Sequence, residues 1–94
     1  MTILHIEHKV PNFDGWKKAF ESDPINRKEL GVRRYNILRP IDDPNYVIID
    51  LEFESLKGAE DTLEALRNLW SKVEGQVMMN PQTRILHLVE TTNV

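Results

Sequence analysis

The chain has 94 residues, of which 40% are hydrophobic and 29% charged, with a formal net charge of −3 and no cysteine. This length predicts one domain over residues 1–94, since single domains typically hold about 100 to 150 residues. The missing cysteines exclude disulfides, thiol catalysis and cysteine-bound zinc or iron–sulfur clusters. The net acidity argues against a dedicated nucleic-acid binder. With no signal-peptide pattern and no apolar run of membrane-spanning length, we expect a cytoplasmic protein without a membrane partner.

The first half of the chain predicts a strand, a helix and a second strand. Alternation over residues 2–10 indicates a strand. One of its faces has Leu4, Ile6, His8 and Val10, and the other has Ile3, His5, Glu7 and Lys9. The apolar spacing of Phe13, Trp16 and Phe20 predicts a helix, which Asn12 or Asp14 caps. Asp23-Pro24 predicts a further helical segment of one or two turns over residues 25–30, closed by Gly31.

The rest of the chain predicts a hairpin that includes this second strand, followed by a second helix and a last strand. Strands are predicted over residues 32–39 and 46–54, and the Pro- and Asx-rich residues 40–45 form the loop between them. Ser55 caps a helix whose apolar stripe predicts its packing face, and Gly75 is its predicted end. The stripe contains Ala59, Leu63, Leu66, Trp70 and Val73. Residues 76–83 are predicted as loop, and residues 84–90 as the last strand.

The resulting order, βαββαβ, predicts an α+β, ferredoxin-like fold. Right-handed crossovers place strand three between strands one and two, and strand four beyond strand one, in an antiparallel four-stranded sheet. Both helices then cover one face. The other face retains apolar side chains, which we expect to be Ile3, Ile48, Ile85 and Val89. Such a face most often seals against a second copy, so the pattern predicts a homodimer.

A recognisable pattern extends over nearly the whole chain, in His8 and residues 14–20, 31–32, 43–47 and 52–55. In these segments the chain resembles the dimeric α/β barrel superfamily, in its cyclase-like and antibiotic-biosynthesis-monooxygenase-like branches. The resemblance implies a pocket between sheet and helices, and chemistry without a bound metal or organic cofactor. The implied reactions are oxygenation, cyclisation or isomerisation of an apolar aromatic or enol. Haem-degrading members place a histidine on the second helix, and residues 56–74 contain none. The resemblance therefore does not imply haem degradation.

The candidate catalytic residue is His8, which is predicted to lie among aromatic side chains. The pKa of histidine is close to neutral pH, so the surroundings of the ring easily decide whether it acts as an acid or a base. The alternative is a core histidine that is hydrogen-bonded to a main-chain carbonyl or to Trp16. The candidate substrate-binding residues are Trp16, Phe20 and Trp70 as walls, Tyr35 or Asn36 as an orienting group, and Met78 at an adaptable lip. For each aromatic residue taken singly, a place in the core is the more common role.

A second cluster is predicted on the opposite face of the first strand. Alternation brings together His5, Glu7, Asp50, Glu52 and His87. A divalent metal held by His5, Glu7 and His87 is the weaker interpretation. A polar layer within a dimer interface, with carboxylates paired to Arg33 or Arg34, is preferred.

Two further interpretations remain open. Arg33, Arg34 and Arg39 concentrate positive charge on the second strand, which would attract an anionic substrate or, as we favour, protect a solvated edge strand. The second interpretation concerns the whole chain, which is alternatively a non-catalytic dimeric binding or stress-associated module. In that case its polar groups serve the dimer interface.

Overall fold

The computed structural model describes residues 1–73 and 78–94, and within them it has the predicted element order. The elements are β1 (Thr2–Lys9), α1 (Phe13–Glu21), β2 (Val32–Leu38), β3 (Tyr46–Phe53), α2 (Leu56–Val73) and β4 (Met79–His87). The sheet order is β2-β3-β1-β4, and every neighbouring pair is antiparallel. The ferredoxin-like topology predicted from the sequence is therefore confirmed.

Both helices begin at side-chain caps that the sequence predicts. The Asn12 side chain accepts a hydrogen bond of 2.8 Å from the Gly15 amide at the start of α1. The hydroxyl of Ser55 accepts one of 3.2 Å from the Gly58 amide at the start of α2. Each cap satisfies an amide that has no partner inside its helix. The predicted end of α2 at Gly75 lies outside the described residues.

The helical segment predicted over residues 25–30 is wrong, because this stretch forms turns. Asp23 and Asn26 have positive φ values of 53° and 58°, which a right-handed helix does not allow. The Asp23 side chain nevertheless accepts a hydrogen bond from the Arg27 amide at 2.9 Å, four residues along. Gly31 ends the turns with a φ of 97°, a value that glycine adopts without steric cost.

The last strand begins earlier than predicted, at Met79 rather than residue 84, and it ends at His87. Pro81 lies inside it, and a proline is tolerated there because β4 is an edge strand. The pairing of β1 with β4 also shifts by one residue between Glu7 and Lys9, so that β4 has one residue more than β1 in this stretch. This β-bulge lies opposite His8.

Strand β2, at the other edge of the sheet, has a bulge of its own. Val32 pairs with Phe53 and Arg34 with Glu52, so Arg33 is the extra residue. After the bulge, alternation places Tyr35 opposite Leu51 on the helix side, and Asn36 opposite Asp50 on the other side. Each edge of the sheet therefore contains one irregular position.

The core lies between the sheet and the two helices. Its buried apolar side chains are Leu4, Ile6, Val10, Trp16, Val47, Ile49, Leu51, Phe53, Ala59 and Met78. We call the other side of the sheet the open face, since within residues 1–73 and 78–94 no helix covers it. No helix in the described part of the chain is long and apolar enough to cross a membrane.

The register corrects two predictions for the open face. Ile85 pairs with Leu4, so it belongs to the helix side, and Leu86, opposite Ile3, takes its place on the open face. Val89 follows the end of β4 and is 86% exposed. The error arose from the position of β4, since a register shift of one residue moves every side chain to the other face.

Candidate functional site

A cavity of about 270 Å³ lies between the sheet and the helices. Among the described residues, its polar lining side chains are those of His8, Ser22 and Arg27, and the other lining side chains are apolar or aromatic. The apolar and aromatic residues are Ile6, Trp16, Ala19, Phe20, Pro24, Ile25, Ile49, Leu51, Leu66, Leu69, Trp70, Val73 and Met78. An apolar cavity with a few polar groups is the usual form of a small-molecule site.

His8 is the histidine among the described residues that line this cavity, and it is 2% exposed. Its Nδ1 lies 3.1 Å from the main-chain oxygen of Lys9. Since a carbonyl oxygen only accepts, Nδ1 carries the proton, and the lone pair of the neutral ring is on Nε2. Burial lowers the pKa of His8 below 6.5, although the Lys9 carbonyl acts in the opposite direction. The ring is therefore an uncharged base at neutral pH.

A row of aromatic rings extends from His8 along α1. The His8 and Trp16 rings meet edge to face with 5.9 Å between centroids, and Trp16 stacks on Phe20 at 5.1 Å. Phe20 in turn meets the Tyr35 ring edge to face at 5.1 Å. The helical spacing of residues 16 and 20 places both rings above the same part of the sheet.

The structure brings together five of the seven residues predicted for the site. The five that line the cavity are His8, Trp16, Phe20, Trp70 and Met78. Tyr35 contacts Phe20 without lining the cavity. Asn36 lies on the open face, so its prediction as a residue of this pocket is wrong; the sequence left the facing of β2 undecided, and the bulge at Arg33 sets it.

The turns after α1 supply cavity residues that the sequence analysis missed. Among the described residues that line the cavity, Arg27 is the charged one, and its side chain is 14% exposed. Its Nη1 donates to the Phe20 carbonyl at 2.7 Å and lies 3.4 Å from Asp23 Oδ1. Its guanidinium lies 4.0 Å from the centroid of Phe20 and 5.1 Å from that of Tyr35. The four-residue spacing of Asp23 and Arg27 is visible in the sequence. It predicts a local ion pair, but it does not indicate that Arg27 lines a cavity.

The open face has a different polar arrangement, centred on His5. Its two ring nitrogens lie 2.6 Å from Asp50 Oδ1 and 2.8 Å from Glu7 Oε2. The Tyr46 hydroxyl donates to the other oxygen of Glu7 at 2.7 Å. We call these four residues the His5 network. It confirms the predicted proximity of His5, Glu7 and Asp50.

The charges of the His5 network support one another. Burial disfavours the imidazolium, but the hydrogen bonds to Glu7 and Asp50 outweigh it and raise the pKa of His5 above 6.5. The hydrogen bonds from His5 and Tyr46 lower the pKa of Glu7. Because its proton is held by the Glu7 carboxylate, the pKa of Tyr46 is raised to about 12. The network thus favours a cation flanked by two anions.

The metal site proposed for His5, Glu7 and His87 is wrong in its third residue. His87 pairs with Thr2, so it is on the helix side at the far end of β1 from Glu7. Among residues 1–73 and 78–94, no group of three potential ligand side chains could hold a metal ion.

The three arginines predicted at the edge strand are held by other groups of the chain. Arg34 donates through Nε and Nη2 to both oxygens of Glu52, and Arg33 pairs with Glu54 at 3.0 Å. The guanidinium of Arg39 lies 4.1 Å from the centroid of Phe13. The predicted pairing of carboxylates with Arg33 or Arg34 therefore occurs within one chain.

Comparison with known proteins gives similarities in structure. No protein-family model and no curated protein matches the chain. A point mutant of SnoaB, a cofactor-independent oxygenase from Streptomyces nogalater, superposes with a TM-score of 0.75 at 11% identity, covering 96% of this chain and 94% of that one. An antibiotic biosynthesis monooxygenase superposes with a TM-score of 0.67 at 11% identity, covering 96% and 100%.

A third solved structure is a dimeric ferredoxin-like protein from an uncultured marine organism. Its TM-score is 0.65 at 11% identity, and the alignment covers 97% of both chains. These similarities confirm the ferredoxin-like fold, and they confirm that the chain resembles antibiotic-biosynthesis-monooxygenase-like proteins in structure. At 11% identity these similarities show the fold alone. Any statement about activity must therefore rest on the residues that line the cavity.

Proposed function

We propose that the chain binds a small, largely apolar aromatic or enol molecule in the cavity and removes a proton from it with His8. The observation that carries this proposal is a buried imidazole, neutral and bonded through Nδ1 to Lys9, in the wall of an apolar cavity of about 270 Å³. A buried base of lowered pKa remains unprotonated at neutral pH, as general-base catalysis requires.

Isomerisation, cyclisation and oxygenation, the three reactions that the resemblance implies, all begin with this proton transfer. Nε2 of His8 takes a proton from the substrate, and the electron pair stays on the substrate as an enolate or phenolate. Return of the proton to another carbon gives isomerisation. In cyclisation the enolate carbon bonds to a carbonyl carbon of the same molecule, and the alkoxide oxygen that results takes the proton back from His8. In oxygenation the enolate carbon bonds to dioxygen, the co-substrate and oxidant, and the peroxide that results takes the proton back from His8. The similarity to a cofactor-independent oxygenase supports this class of chemistry.

The test measures proton removal directly, with an aromatic 1,3-diketone as the probe. In D₂O, the exchange of its acidic C–H is followed by proton NMR with wild-type protein and with the variant His8→Gln. Because general-base catalysis is worth about 10²- to 10⁴-fold, we expect His8→Gln to lose at least about 100-fold in exchange rate. Wild-type exchange should persist to below pH 6.5 and then fall as His8 becomes protonated.

A matched control is His87→Gln, which changes an exposed histidine outside the cavity. Its exchange rate should equal that of the wild type. Equal exchange by His8→Gln and wild type, with the probe bound to both, would overturn the catalytic role and leave the non-catalytic binding module as the better interpretation.

We also propose that two copies associate through the open face. Ile3, Ile48, Leu38 and Leu86 supply its apolar part, and the His5 network supplies its polar part. Leu38 and Leu86 are 46% and 40% exposed in the single chain, so covering them would bury apolar surface. The dimeric state of a similarly folded protein supports the same arrangement.

Light scattering with size-exclusion chromatography tests the association. The wild type should have the mass of two chains, and Leu86→Arg should shift it to one chain, because a charge would be buried in the interface. Ile41→Arg, in the loop between β2 and β3, is the control and should remain dimeric. A monomeric wild type, or a dimer unaffected by Leu86→Arg, would contradict this interface.

A further inference from the structure

Arg27 connects two adjoining depressions of the surface. It lines the apolar cavity, and it also lines a shallow groove with Asp23, Lys28, Arg33 and Arg34. Val32 and Tyr35 complete that groove. An apolar ligand in the cavity that extends past Arg27 therefore enters a region where four of the seven described lining residues are cationic.

The cations of this groove differ in how far their own carboxylates neutralise them. Arg34 is engaged by Glu52 through the Nε and Nη2 edge, at 3.1 and 3.0 Å, and Arg33 by Glu54. Arg27 contacts Asp23 through Nη1 alone, at 3.4 Å. In the part of the chain that the structure describes, its Nε and Nη2 have no hydrogen-bond partner.

The free edge of Arg27 has the geometry that binds carboxylates. Nε–H and Nη2–H point in parallel, and two such donors match the two oxygens of one carboxylate. Arg34 uses this same pair of donors toward Glu52 in this chain. The Arg27 side chain is also 14% exposed and packed on Phe20 and Tyr35, so its position is restrained before a ligand arrives.

Arg27 and His8 are at opposite ends of the aromatic row. His8 contacts Trp16, Trp16 stacks on Phe20, and Arg27 lies over Phe20. A flat molecule lying along these rings would present one end to the base and the other to the guanidinium.

On this geometry, which rests on the proposed function of the cavity, we propose that the substrate is an apolar ring system bearing a carboxylate. The ring occupies the cavity, and the carboxylate binds the Nε and Nη2 edge of Arg27 at the boundary with the basic groove. Arg27 is then a specificity-determining residue that also sets the direction in which the ring enters.

Calorimetric titration with two ligands of nearly equal shape tests this substrate class. The ligands are 2-naphthoate, which has a carboxylate, and 2-acetylnaphthalene, which has a neutral methyl ketone in its place. We expect wild-type protein to bind 2-naphthoate about 10- to 100-fold more tightly, the usual worth of hydrogen bonds to a charged group. Raising the salt concentration should weaken the binding of 2-naphthoate alone.

Variants assign the preference to one side chain. Arg27→Gln should remove the preference for 2-naphthoate while leaving the affinity for 2-acetylnaphthalene within about twofold, and Arg27→Lys should retain part of it. Arg67→Gln removes an exposed cation of α2 that lines neither depression, so it should change neither affinity. Circular dichroism of Arg27→Gln and Arg27→Lys checks that both are folded.

The outcomes separate the two proposals. If both ligands bind equally to the wild type, or if Arg27→Gln keeps the preference, the carboxylate site is overturned and the cavity remains. If neither ligand binds, the ligand-binding cavity itself is overturned, and the inference about Arg27 with it.

Discussion

His5 and His8 are three residues apart on β1, yet the two faces of the sheet give them opposite properties. His8 is under the helices among aromatic rings, and burial lowers its pKa. His5 is on the open face between two carboxylates, and its pKa is raised. Strand alternation places an even and an odd position on different faces, so the surroundings rather than the residue type decide the charge at neutral pH.

The two faces also differ in their other side chains. The helix side is built from apolar side chains and contains a cavity, whereas the open face combines the His5 network with partly exposed aliphatic residues. A neutral base suits proton removal from an apolar ligand. A cation flanked by anions suits a fixed polar contact, such as one inside an interface.

The largest expected difference between the faces is in the free energy of unfolding. Leu51 is 1% exposed on the helix side, and Leu51→Ala should lower that free energy by about 2–5 kcal/mol at every protein concentration. Leu86→Ala, on the open face, should cost less than about 1 kcal/mol in dilute protein, where chains are monomeric. Urea titrations at two concentrations measure both. If Leu51→Ala and Leu86→Ala lowered the free energy of unfolding equally in dilute protein, the two faces would not differ in this way.

The next effect is on how stability depends on pH. His5 has a raised pKa, so its contribution is full below pH 6.5 and is lost as the pH rises through the folded-state value. The neutral ring has one N–H and can donate to just one of its two carboxylates. His5→Gln should therefore be about 1 kcal/mol less stable than the wild type at pH 6, and closer to it at pH 9.

His8→Gln is the matched variant and should show the opposite slope. The pKa of His8 is lowered, so its contribution is present above pH 6.5 and is lost as the pH falls through the folded-state value. The deficit of His8→Gln should therefore shrink from pH 9 to pH 5.5. If the two variants had the same slope, the two histidines would not differ in the way described.

The smallest effect is expected from one hydroxyl of the open face. Tyr46→Phe removes the hydrogen bond to Glu7, which should cost less than about 1 kcal/mol in urea unfolding at pH 7 and raise the pKa of Glu7. Tyr35→Phe removes a hydroxyl that makes no hydrogen bond among the described residues, so it is the control. A larger cost for Tyr35→Phe would contradict the assigned role of Tyr46.

Much of the fold was predictable because β1, β3 and α2 have strong periodicity. Strand β4 was misplaced, since Pro81 indicates a loop unless the strand is known to be at an edge. Its register decided the faces of Ile85 and His87, and register depends on the partner strand, which local sequence does not contain.

The candidate site was predictable to the same extent. His8 and the aromatic residues of α1 and α2 are on predicted faces of predicted elements, and the structure places them around one cavity. Arg27 was missed because it belongs to turns with left-handed residues, and turn geometry is set by contacts that periodicity does not describe. Whether any of these residues acts on a ligand remains a prediction.

The bulges at the two edges of the sheet bear on how the protein avoids aggregation. An edge strand offers unpaired main-chain groups on which further strands can add, and a bulge or proline interrupts that row. β2 has its extra residue at Arg33, and β4 has a left-handed Asn80 followed by Pro81. Neither edge is a regular template, so we expect strand-to-strand growth into fibrils to be disfavoured, and contacts between copies to be directed to the open face.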